Sequence, residues 1–193
     1  MMRIRELERY IVRAFRVKLD KCQGLYCDEH FHYSKGLTRI RYGDPKSARK
    51  VIYEFARYFQ REFQYDFIQY SIDPERSSND NNTQAFLFHH YDVGVHNDRI
   101  AYGACCFRYR KNWTNLEPHW ALQWIYLHPL CRNEGELTRH WETFETVFGN
   151  FMVEEPLSKS MEYFIENKPS KYKHDYKEIT IPAPDESNTT QSP

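Results

Sequence analysis

Apolar residues change their period several times along the chain, and each change marks an element. Between Glu8 and Asp20 they fall at Ile11, Val12, Phe15, Val17 and Leu19, and the second half of that run alternates with basic residues. Such alternation predicts a strand with one wet face. Gly24 and Gly36 then bracket a loop rich in Cys and His, and Leu37 to Tyr42 reads as a second short strand stopped by Gly43-Asp44-Pro45. Asp44 before Pro45 is a helix-start pattern, because a carboxylate can accept the first free amides and proline suits the first turn. The predicted helix runs from Pro45 to about Tyr65. Val51, Ile52, Phe55, Tyr58, Phe59 and Phe63 recur on it at helical spacing and give it an apolar face.

Residues 73 to 84 are polar throughout and read as a loop. A hairpin is expected next, from Ala85-Phe86-Leu87-Phe88 through a turn around His96-Asn97-Asp98 and back along Ile100 to Tyr109. In its second strand Gly103, Ala104, Cys105 and Cys106 are small enough to admit a close neighbour. A loop from Lys111 to Pro118 leads to the strand Trp120 to Leu127, and a helix from Glu136 to about Phe148 ends at Gly149. A short strand, Asn150 to Val153, and a last helix, Ser158 to about Asn167, complete the pattern. Three segments follow: residues 1–36 as a strand and Cys/His loop, 37–170 as the core, and 171–193 as a polar, disordered tail.

Composition adjusts this picture in three places. The 193 residues suit one main core. The mean hydropathy of −0.83 understates the material for that core, because fifteen Tyr score as polar and yet pack as rings. Lys plus Arg equals Asp plus Glu at 27 each, which excludes a global field for nucleic acid or an anionic membrane. Arg3, Arg5, Arg9, Arg13, Arg16 and Lys18 still make a locally basic arm. No apolar run reaches the ~18 residues that would cross a bilayer, the first residues lack an apolar secretion core, and five sparse cysteines form no disulfide framework. A cytoplasmic protein is expected.

The chemistry concentrates after the strand Trp120 to Leu127. Pro129 cannot donate to a ladder, so pairing should stop at His128-Pro129. Arg132-Asn133-Glu134-Gly135 then turns the chain into a helix. An exposed helix start offers free N–H groups at the positive end of the helix dipole, and Gly135 permits close approach or positive φ. This is a site for an anionic phosphate.

The run Leu127-His128-Pro129-Leu130-Cys131-Arg132-Asn133-Glu134-Gly135-Glu136-Leu137 resembles the signature of the GNAT (Gcn5-related N-acetyltransferase) superfamily. There a fourth strand ends in an apolar residue, followed by Arg or Gln, two variable residues, Gly, one variable residue and a small residue. Arg132 and Gly135 match, and Leu137 stands where the small residue is usual. The resemblance covers about residues 37 to 168. It implies an α/β (α+β) fold with a mixed, mostly antiparallel sheet flanked by helices and a V-shaped split between the fourth and fifth strands. It further implies acetyl-CoA as co-substrate and transfer of the acetyl group to an amine by direct attack in a ternary complex. Tyr126, Leu127, Arg132, Asn133, Glu134, Gly135, Glu136, Leu137 and Ser158 would contact the CoA moiety. The family's usual Glu base falls on Ala121. His119, expected on the same strand face as Ala121 and Gln123, takes over as base, with Glu117 as second choice. Tyr163 is the candidate acid, although the family's Tyr falls near Ile165.

Two other readings stay open. A GNAT-like domain without an ordered base can be a CoA-binding or interaction module. Cys22, Cys27, His30 and His32 could hold a tetrahedral zinc for an interaction protein, although their spacing is not that of a zinc finger. Phe31, His32 and Tyr33 could otherwise contact an acceptor. A small amine, a peptide, a protein or an aminoacyl-tRNA is compatible with the sequence as acceptor, and so is a homodimer.

Overall fold

The computed structural model describes residues 15–19, 25–26, 35–73, 82–91, 99–111 and 117–167. The chain divides into two compact units, Met1–Glu154 and Glu155–Pro193.

In the first unit the alternating segments become one mixed sheet. Its strands are β1 (Phe15–Val17), β2 (Leu25–Tyr26), β3 (Lys35–Ile40), β4 (Thr83–Tyr91), β5 (Arg99–Arg110), β6 (His119–Leu127) and β7 (Met152–Val153). The order is β2-β3-β4-β5-β6-β7, and β1 pairs with β5 over Arg99–Ala101, beyond the end of β6. All described pairs are antiparallel except β6 with β7. This is the mostly antiparallel, mixed sheet that the family resemblance implies.

Helix α1 (Lys46–Phe63) covers one face and α2 (Glu136–Phe148) the other. Against α1, the chain buries Val17, Ile40, Ile52, Phe55, Leu87, Cys106, Trp124 and Tyr126. Against α2, Phe86, Phe88 and Phe107 meet Phe144, with ring centroids 5.1 to 6.3 Å apart. Aromatic rings carry much of the packing in both layers. In the second unit, helix α3 spans Lys159–Glu166. Among the described residues no helix is long and apolar enough to cross a membrane.

Two boundaries differ from expectation for local reasons. β3 ends at Ile40 rather than Tyr42, because Arg41 to Asp44 form a turn in which Asp44 N–H donates to the Arg41 carbonyl at 3.1 Å. The Asp44 carboxylate accepts from Arg41 N–H at 2.6 Å, so it is not the helix cap; Pro45 occupies that position without a side-chain cap. The loop expected over 73–84 also gives up Thr83 and Gln84 to β4.

Small residues in β5 admit a close neighbour, and that neighbour is β6. A Cβ on Gly103 would lie 2.6 Å from Leu127 Cδ2 and 2.8 Å from the Tyr126 carbonyl oxygen.

His89 is a buried polar group in this core. Its Nε2 lies 2.8 Å from Thr38 Oγ1. Burial, and after it the charges of Arg99, His140 and His90, bring its pKa down to about 3. The folded ring is therefore neutral while the unfolded ring takes a proton below pH 6.5, so the fold loses stability as pH falls from 6.5 toward 3. Between pH 7 and pH 5 the expected loss from this group is about 2 kcal/mol. Urea unfolding should show that decrement in the native protein and a flattened one in His89→Gln. An equal pH decrement in both would remove His89 from the explanation.

Candidate active site

The site begins with a fault in β6. Cys106 pairs with Trp124 and Phe107 with Leu122, which leaves Gln123 as an extra residue between two paired positions. A β-bulge of this kind re-aims the side chains that follow it. Before the bulge Trp120 packs on Phe148 of α2, with ring centroids 4.7 Å apart. After it Trp124 packs on Phe59 at 5.9 Å and Tyr126 on Tyr58 at 6.0 Å, both on α1. His119 and Ala121 thus share a face, and Gln123, whose Oε1 accepts from Cys106 Sγ of the α1-side core at 3.9 Å, lies on it too; the alternation reverses only between Gln123 and Trp124.

At the same point the sheet opens. β7 pairs with β6 only at Ala121↔Met152 and Leu122↔Val153, with one further bond from Glu154 N–H to the Leu122 carbonyl at 2.9 Å. From Gln123 to Leu127 that edge of β6 faces no strand among the described residues. This is the split between neighbouring strands expected from the sequence.

The open edge leads into the turn. His128 N–H donates to the Tyr102 carbonyl at 2.7 Å, and Pro129–Cys131 make a single 3-10 turn. His128 Nδ1 accepts from Leu130 N–H at 3.2 Å. Asn133 and Gly135 then both take left-handed backbone conformations, with φ of 63° and 76°. Gly135 is the N-cap of α2, and no side chain caps that helix. The N–H groups of the first turn have no carbonyl four residues earlier to meet them, so they form the positive end of the helix.

Arg132 is built into this turn. Its Nε donates to the Leu127 carbonyl at 2.9 Å, and its two terminal nitrogens meet both oxygens of Glu62, near the end of α1, at 2.6 and 2.8 Å. The guanidinium carbon stands 5.0 Å from the Tyr126 ring centroid. The bond from Arg132 holds the Glu62 carboxyl below its usual pKa, and Glu62 in turn raises that of Arg132. Burial, and then the Glu62 charge, push the Tyr126 hydroxyl up.

Several residues proposed as CoA contacts take narrower roles. The Glu136 side chain is fully buried and accepts from the Tyr102 hydroxyl at 2.6 Å and from Arg139 at 2.7 Å. It points into the protein, so only its main chain faces the turn. The Tyr126 side chain is likewise committed to the α1 face. Asn133, Glu134 and Gly135 are exposed, and Leu137 is half-buried.

The catalytic candidates separate. His119 is half-buried at the start of β6, and its Nδ1 donates to the Glu117 carbonyl at 2.8 Å. That bond fixes the proton of a neutral ring on Nδ1 and puts the lone pair on Nε2. Glu117 is exposed and serves His119 through its backbone. Tyr163 and Ser158 belong to the second unit: Tyr163 is exposed on α3, and the Ser158 hydroxyl caps that helix by accepting from Met161 N–H at 3.3 Å. Cys22, Cys27, His30, His32, Phe31 and Tyr33 lie outside the described residues. Among the described residues no group of three metal-ligating side chains comes together.

Two site residues escape sequence reasoning. Glu62 reaches Arg132 across 70 positions, and no local pattern signals that pairing. Glu154, directly after β7, places a nearly buried carboxylate at the fork, held by Arg110 at 2.6 Å. Its only sequence signal is a charge immediately following a short apolar strand.

The sequence matches no family model, and no curated protein is similar to it. The fold, in contrast, is shared with a solved structure. The xEco2 acetyltransferase domain bound to a CoA conjugate superposes with a TM-score of 0.51 at 13% identity, covering 74% of this chain and 90% of that one. An aminoglycoside acetyltransferase from an uncultured soil metagenomic sample gives 0.43 at 15% identity over 69% and 86%. A ribosomal-protein-alanine N-acetyltransferase from Brucella melitensis biovar Abortus 2308 gives 0.44 at 10% over 69% and 90%. The superposition on xEco2 shows the fold of this chain, and at such identity it shows the fold alone.

Proposed function

The chain has the GNAT fold, and on that premise we propose that it is an acyltransferase using acetyl-CoA to acetylate an amine. The observation that carries this reading is the continuity of the open β6 edge with the uncapped start of α2. An edge from Gln123 to Leu127 without a partner strand among the described residues offers main-chain groups to the amides of the pantetheine arm. The turn that follows, with two left-handed residues and a bare N-cap, offers main-chain N–H groups to the pyrophosphate. Both ends of one extended, anionic ligand are thereby accommodated along a single strand and turn.

Catalysis in this reading is mostly positioning. The acceptor nitrogen attacks the thioester carbonyl, the C–N bond forms, the C–S bond breaks and the thiolate leaves. His119 accepts the amine proton at Nε2, oriented by its Nδ1 bond to the Glu117 carbonyl.

Calorimetry with acetyl-CoA tests the first step: saturable binding is expected, and its absence would sink the reading. His119→Ala should leave that binding within about threefold and lower kcat by about 100-fold. An equal loss of binding and turnover would undo the role given to His119. Binding without turnover against any amine would make the chain a CoA-binding module.

A further inference from the structure

The face of the sheet that carries His119 also carries an arginine that the proposed chemistry leaves unused. Arg108 of β5 pairs with Ala121 of β6 on one side and with Thr83 of β4 on the other. Face assignment follows from the alternation along β5: Phe107 packs on Phe144 of α2, and Tyr109 packs on Trp120. Arg108 and Arg110 therefore point to the α1 face, together with His119 and Ala121. Arg110 is neutralised by Glu154 at 2.6 Å. Arg108 makes no ion pair among the described residues, and its Nε is buried without a hydrogen-bond partner. The hydroxyl of Thr83, directly opposite, is buried and equally unpartnered. Ala121, on the other flank, brings only a methyl group to the side of Arg108.

A buried guanidinium nitrogen without an acceptor costs free energy unless a ligand supplies one. An arginine fork with a neighbouring hydroxyl suits a planar carboxylate, which takes two parallel N–H bonds. Since Glu154 already accounts for Arg110, one positive charge of the patch is uncompensated among the described residues, matching a single carboxylate. Paired residues on adjacent strands lie about 5 Å apart, so a group held by Arg108 sits within a few ångströms of Ala121 and a short reach from His119.

We propose that Arg108 is a specificity residue that binds a carboxylate on the acceptor, so that the acceptor is an amine carrying a carboxylate a few ångströms from its nitrogen, as in an amino acid. This rests on the acyltransferase reading for its chemistry, and its test is built to separate the two. Saturation-transfer NMR on the full chain with saturating CoA would compare the twenty amino acids with their carboxamides. A second set would compare amide-capped tripeptides with a free N-terminus that contain Asp or Asn. Carboxylate probes are expected to be retained over the matching amides by about tenfold or more, and whichever set shows the preference identifies its source. Arg108→Gln should abolish the preference, Arg108→Lys should restore part of it, and both should bind acetyl-CoA as the native protein does. Equal retention of acids and amides by the native chain overturns the proposal, as does an unchanged preference in a folded Arg108→Gln. Loss of acetyl-CoA binding in Arg108→Gln would assign Arg108 to the cofactor and overturn it as well. A failure of acetyl-CoA to bind at all removes the acyltransferase reading, and the probe comparison still decides the role of Arg108.

Discussion

Gly103→Val is expected to lower the thermal midpoint by about 10 °C and to weaken acetyl-CoA binding with it. A Cβ at this position meets the Tyr126 carbonyl at 2.8 Å and Leu127 Cδ2 at 2.6 Å. The first of these is backbone and cannot rotate away, so relief requires β6 to move from β5. Forcing extra volume into such a contact costs about 1–3 kcal/mol, and a β-branched side chain lies at the upper end. For a chain of this size each kcal/mol lowers the midpoint by about 2–4 °C. The displaced segment ends at Leu127, which takes the Arg132 Nε bond, and it leads into His128, whose N–H bonds to Tyr102 beside Gly103. Strain at Gly103 is therefore passed to the turn. Gly43 supplies the control, since a Cβ there meets nothing within 4 Å, and Gly43→Ala should change the midpoint by no more than about 2 °C. Gly135 separates the two ways in which glycine matters: a Cβ there has room, yet φ is 76°, so Gly135→Ala should cost about 1 kcal/mol through the backbone alone. If Gly103→Ala and Gly43→Ala unfold at the same temperature, the strands are not in the contact described.

The contrast between Gly103 and Glu62 shows what the sequence could convey. Local periodicity placed α1, α2 and the strands around them within a few residues, because period and capping are properties of neighbours in sequence. The run of small residues at Gly103 signalled a close approach without saying of what. Register supplies the answer, and register is a property of two strands. The same distinction applies to Gln123. Nothing in Ala-Leu-Gln-Trp-Ile announces a bulge, because the bulge is defined only by what β5 places opposite. Straight alternation therefore holds from His119 to Gln123 and fails only at Trp124, which follows Gln123 onto the same face. The form of the turn from His128 to Gly135 is legible because its logic is local: proline stops the strand, a left-handed glycine starts the helix. The residues that tune it, Glu62 on Arg132 and Tyr102 on Glu136, arrive from 70 and 34 positions away. They could be found only in space.

Arg132→Leu is expected to raise the dissociation constant for acetyl-CoA by about 100-fold, and the reason can be separated from the obvious one. A free arginine beside a pyrophosphate would act by its charge. Here the charge is met by both oxygens of Glu62 at 2.6 and 2.8 Å, so the pair contributes little net field, and main-chain dipoles are left to attract the anion. Removing Arg132 then does two things. It frees the Leu127 carbonyl and loosens the turn, and it leaves the Glu62 carboxylate unpaired beside the proposed phosphate site. A lone carboxylate at such a distance repels an incoming anion by about 1–4 kcal/mol, depending on solvent screening, and 1.4 kcal/mol is a factor of ten in affinity. The double variant Glu62→Gln with Arg132→Leu removes the repulsion but not the loosening, so it should recover about tenfold of the lost binding. Glu62→Gln on its own leaves Arg132 attached to Leu127 with its charge uncancelled and should tighten binding, an effect that fades with added salt. Were Arg132 a direct ligand of the phosphates, the double variant would bind as poorly as Arg132→Leu. That result in isothermal titration would replace the strut described here with a charge contact, and unchanged binding in Arg132→Leu would move the cofactor away from this turn altogether.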